Sequence, residues 1–60
     1  MWLIVEEENG EVIALHAFGD DERPAAGAML HALKANRERP SRKARLLKGR
    51  SVTEILRSLR

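Results

Sequence analysis

The sequence predicts an α+β fold: a β-hairpin, a helix, a basic linker or short strand, and a short closing helix, in the order ββα-α. Three observations lead there. Asn9-Gly10 sits between two stretches with strand character, residues 2–8 and 11–18. After Gly19, apolar residues recur at helical spacing at Ala26, Met29, Leu30 and Leu33. The same spacing returns at Val52, Ile55, Leu56 and Leu59, behind the motif Ser51-Val52-Thr53-Glu54. Sixty residues amount to one small domain or a fragment of one. It divides into a hairpin-helix body over 1–38, a basic linker or arm over 39–50, and a C-terminal amphipathic helix over 51–60.

Asn-Gly suits a type I′ turn, which needs positive φ at both central residues. A two-residue loop sets Val5 opposite Ala14, Ile4 opposite Leu15 and Trp2 opposite Ala17. It also sets Glu8 against Glu11, an unfavourable like-charge pair that a three-residue loop would relieve. Trp2-Leu3-Ile4-Val5 is apolar on both faces, whereas a ribbon with one solvated face alternates. One face calls for the following helix. The other calls for further cover, and a second subunit is the simplest. A chain this small buries roughly 60% of the surface it exposes when unfolded, and it has no cysteine to form a disulfide. A homodimer is therefore expected, with Trp2, Ile4, Leu15, Ala28 and Ala32 at its interface.

Gly19 ends the second strand. Asp20 or Asp21 serves as helix N-cap, with Glu22 in the first turn beside the positive end of the dipole. Pro24 fits that turn, where its missing N–H does no harm. Ala25, Ala28, Ala32 and Ala35 line an adjacent stripe of small side chains. Pro40 ends the helix by Glu38 or Arg39. Residues 42–48 read as a short strand or an extended arm. Beyond Gly49, Ser51 and Glu54 stand at capping-box spacing. The helix they open is about ten residues long, too short to be stable alone. Its apolar stripe must dock either on its own hairpin or in a partner's groove.

Charge is sorted along the chain. Residues 1–22 hold seven acids and no Lys or Arg, while residues 23–60 hold eleven bases against Glu38 and Glu54. The densest stretch carries Arg37, Arg39, Arg42, Lys43, Arg45, Lys48 and Arg50 against Glu38 alone. Such a block suits DNA or RNA phosphates or an acidic partner. It also suits a solvated loop with no dedicated ligand, or screening of the acidic hairpin of its own or a neighbouring chain.

Catalytic chemistry is not signalled. His16 and His31 share no metal-ligand spacing with carboxylates, so no metal is expected. Ser41, Ser51 and Ser58 have no recognisable base. Glu6, Glu7 and Glu8 alternate faces on a strand and form no acid/base pair by spacing. The four glycines make no phosphate-binding fingerprint, and no cofactor is implied. The longest apolar run, Met1–Val5, is too short for a membrane span or a signal peptide. A cytoplasmic, non-enzymatic binding protein is the expectation.

Two stretches carry a family resemblance. Leu3-Ile4-Val5-Glu6-Glu7-Glu8-Asn9-Gly10-Glu11-Val12-Ile13-Ala14-Leu15 resembles the hairpin of small antitoxins of the prevent-host-death (Phd/YefM) type. Lys48-Gly49-Arg50-Ser51-Val52-Thr53-Glu54-Ile55-Leu56-Arg57-Ser58-Leu59 looks like the C-terminal arm of many antitoxins. Together they span under half the chain, and the helix and strand that precede this hairpin in that family have no counterpart before Met1. The resemblance implies an inhibitor that docks its last helix on a toxin-like protein. Val52, Ile55, Leu56 and Leu59 would be the anchors, and Arg57 or Arg60 would pair with an acidic residue of the target. Two other readings stand beside it: a small nucleic-acid-binding regulator using residues 37–50, and a structural homo-oligomer.

Overall fold

A computed structural model of the chain describes residues 1–35 and 41–59. The element order is β1 (Trp2–Glu8), β2 (Glu11–Phe18), a 3-10 turn (Asp20–Glu22), α1 (Arg23–Ala35), β3 (Arg42–Lys48) and α2 (Val52–Arg57). The stretch 42–48 is thus a strand. The sheet is antiparallel in the order β2-β1-β3, so the hairpin's first strand is its centre.

The turn follows the two-residue expectation. Asn9 and Gly10 have φ of 54° and 83°, and Glu8 lies opposite Glu11. Beyond it the register departs from the sequence prediction. A bulge falls between Glu6 and Glu7, so Glu7 faces Val12, Glu6 faces Ala14, and Ile13 has no partner on β1. From there the pairing is shifted by one: Val5 meets Leu15, Ile4 meets His16 and Trp2 meets Phe18. One extra residue in β2 reconciles a tight turn with a different face for everything after it. It also carries His16 to the face of Glu6, where Nε2 lies 2.6 Å from Oε2.

Paired residues share a face. Leu3 and Val5 lie with Ala17, Leu15, Leu47 and Arg45, whereas Trp2 and Ile4 lie with Phe18, His16, Lys48 and Leu46. The Leu3/Val5 face is covered by α2. Leu3, Val5 and Ile55 form a buried cluster, with Met1, Leu47, Val52, Leu56 and Leu59 packed around it. The other face lies beneath α1, which packs mainly on β3 and β1. Ala26 is fully buried there, Met29, Leu30 and Leu33 are half-buried, and the alanine stripe of Ala25, Ala28, Ala32 and Ala35 is exposed. The second apolar face therefore needs no second subunit; the chain's own closing helix covers it.

Local signals place both helices. At the 3-10 turn Gly19, not an aspartate, is the N-cap, and its N–H donates to the Glu22 carboxylate at 2.7 Å. Ser51 Oγ accepts from Glu54 N–H at 3.1 Å, as its capping position predicts. The helix it opens has six residues rather than ten and ends at Ser58. The predicted exit of α1 through Asn36, Arg37 and Pro40 lies outside the described residues.

Candidate interaction surface

Four residues of the basic block, Arg42, Lys43, Arg45 and Lys48, lie in β3. Lys43 and Arg42 stand opposite Glu7 and Glu8. Arg42 Nε is 3.6 Å from Glu8, and an Arg45 guanidinium nitrogen is 3.6 Å from Glu7. Opposite charges facing one another across strands favour this pairing over its alternatives. Lys48 lies over the Trp2 ring at 5.1 Å, and Arg23 approaches the same ring at 5.0 Å. Lys43, Arg45, Lys48 and Arg50 are exposed, while Arg37 and Arg39 lie outside the described residues. The internal screening role thus has direct support in the pairing of β1 with β3.

Of the residues expected to anchor a partner, Ile55 is 2% exposed and part of the chain's own core. It is closed to a partner while α2 stays seated. Val52 also packs on this core. Leu56 and Leu59 pack on it too, but with Arg57 they also line a groove that includes Glu7, Gly10, Val12, Arg45 and Thr53. This groove is open and holds about 610 Å³. Arg60 lies outside the described residues. Of the expected dimer contacts, Ile4 is fully enclosed by its own chain and offers nothing to a second subunit. Trp2 is half-buried, Leu15 is 42% exposed, and Ala28 and Ala32 are exposed on α1.

Among the described residues, the large apolar side chains left in solvent all belong to β2: Val12 at 49%, Ile13 at 44% and Leu15 at 42% exposure. The bulge puts Val12 and Leu15, three apart in sequence, on the same face as α2. Adjacent apolar letters in Glu11-Val12-Ile13-Ala14-Leu15 were the only sequence sign of this patch, and its site residues other than Leu15 were missed. The strand's polar edge can be read from the hydrogen bonding. Gly49 N–H donates to the Met1 carbonyl at 3.1 Å, so odd-numbered residues of β1 bond toward β3 and even-numbered ones toward β2. Leu15 and Ala17 face the odd residues Val5 and Leu3. Their backbone N–H and C=O groups accordingly point outward, away from β1.

Among the described residues no group of three His, Cys, Asp or Glu side chains could hold a metal ion. Nor is any helix there long and apolar enough to cross a membrane. Compared with known protein families, curated proteins and solved structures, the chain matches none.

Proposed function

We propose that the protein is a non-enzymatic binding protein whose partner docks along β2 and into the groove between β2 and α2. One observation carries this reading. Val12, Ile13 and Leu15 stand in solvent on an outer strand, while Leu3, Ile4, Val5 and Ile55 are enclosed. Contiguous apolar surface beside polar rim residues is what docking sites present. Arg45 and Arg57 supply that rim here. An antitoxin-like inhibitor fits within this reading if it meets its target with α2 in place, through Leu56, Arg57 and Leu59 rather than through Val52 and Ile55.

The test is capture by a tagged chain expressed in its source cell, compared with Leu15→Lys. This substitution is at a half-exposed position, so far-ultraviolet circular dichroism should keep the folded signal. Whatever protein the wild type retains, including its own untagged copy, should be lost. A variant that retains the same partner would remove β2 from the reading.

A further inference from the structure

We propose that the occupant of β2 is a second copy of this chain, joined edge to edge, with the two β2 strands antiparallel about a two-fold axis at His16. The inference rests on the reading of β2 as the docking strand and adds the partner and the register.

The two edges of the sheet are built differently. β3 carries Arg42, Lys43, Arg45 and Lys48 among its seven residues, and lysine-rich edges repel further strands. β2 carries no Lys, Arg, Asp or Glu from Val12 to Phe18, and the His16 side chain is held against Glu6. Charge then selects among the possible pairings. Two β3 edges would oppose cations to cations. A β2 edge on a β3 edge would leave one of each free, and such head-to-tail contacts close only into rings or else grow into open filaments, whereas two-fold pairing closes at two copies. Two β2 edges meet without like charges. They close into a six-stranded sheet whose outer strands are both the cationic β3.

The register follows from the bulge and the outward groups. The ladder must begin past Ile13, so the regular stretch is Ala14–Phe18, with His16 at its midpoint. Centring there sets Leu15 opposite Ala17 of the second copy, and Ala17 opposite its Leu15. These are the residues whose N–H and C=O groups already point outward, so each pair exchanges both its bonds. On the α2 face a large side chain meets a small one twice. On the other face His16 meets its own copy, each ring staying on Glu6 of its own chain.

The chain has no cysteine, so introduced thiols report the register without background. His16→Cys places two thiols at a non-hydrogen-bonded pair, where Cα atoms lie about 4.5 Å apart, inside the range a disulfide spans. The double variant Leu15→Cys/Ala17→Cys tests the same register with the His16–Glu6 contact intact. Lys43→Cys on β3 is the control. Sedimentation at micromolar concentration should give twice the chain's 6.8 kDa. The His16 and double variants should oxidise to covalent dimers, the control should not, and Leu15→Lys should weaken association at least tenfold.

A dimer that cross-links through Lys43→Cys and through neither β2 variant would overturn the proposal. A wild-type chain that stays monomeric to millimolar concentration would overturn it as well. If that monomer still retains a different protein from its cell in a Leu15-dependent way, the second copy is wrong and the docking role of β2 stands. If it retains nothing through β2, both readings fall.

Discussion

At Gly49 the backbone passes directly over the core. A Cβ built there would lie 2.5 Å from Cγ1 of Ile55 and 3.2 Å from its Cδ1. Cγ1 sits next to the helix backbone and has little room to yield. Gly49→Ala should therefore destabilise the fold by about 1–3 kcal/mol, the usual range for overpacking, read as a lower urea midpoint. Two residues on, Ser51→Ala removes the acceptor for Glu54 N–H and should cost about 1 kcal/mol in the same assay. The N-terminal ammonium donates to Asp20 and to the Gly49 carbonyl, the latter at 2.7 Å. Its hydrogen bond first, then its charge and that of Lys48, holds the Asp20 carboxyl below its ordinary value of 3.8. The folded-state value is the depressed one. The contribution is thus present above the unfolded value and is lost as pH falls through the folded one. An NMR titration of Asp20 should show the low midpoint. One added N-terminal residue, which moves the ammonium away, should restore it to the ordinary range; an unchanged midpoint would mean that another group sets it.

Each element was legible to the extent that its cause is local. The turn, the Ser51 cap and the stripe of α1 come from neighbouring residues and stand where the residue pattern places them, while the second stripe outruns its helix, which ends before Leu59. The residues of β3 alone leave strand and arm both open, because the strand's reason for existing is distant. Its cations answer Glu7 and Glu8, which precede it by more than thirty positions in the chain. The bulge in β2 was invisible for a similar reason. A register is chosen by what both faces bury, and a single inserted residue leaves no compositional trace. The candidate surface inherits that blindness, since without the bulge Val12 and Leu15 would lie on opposite faces. Arg45 and Glu7 offer a measurable check on the charge argument. Exposed pairs contribute about 0.2–1 kcal/mol. A double-mutant cycle of Glu7→Gln and Arg45→Gln should give a coupling in that range, shrinking in high salt. A coupling of zero in low salt would remove the Glu7–Arg45 pair from what sets the β1–β3 register.

On the scale of the whole molecule, α2 decides whether sixty residues can hold a sheet covered on both faces. Stability for a chain of this length is about 3–9 kcal/mol. α2 brings Ile55 to full burial and packs Val52, Leu56 and Leu59 around Leu3 and Val5. Full burial of such side chains is worth about 1.5–3 kcal/mol each, so Ile55 and three partly buried neighbours contribute on the order of 5 kcal/mol. That is comparable with the entire margin. A chain ending at Gly49 would expose Leu3, Val5 and Leu47 along one face of the sheet and should be unfolded at room temperature. Collapsed amide dispersion in an NMR spectrum and loss of the far-ultraviolet strand signal would show it. A truncated chain that kept a dispersed spectrum would mean that the hairpin, α1 and β3 stand alone. α2 would then be a detachable arm, and docking by Val52, Ile55, Leu56 and Leu59 in a partner's groove would become the better account of its apolar stripe.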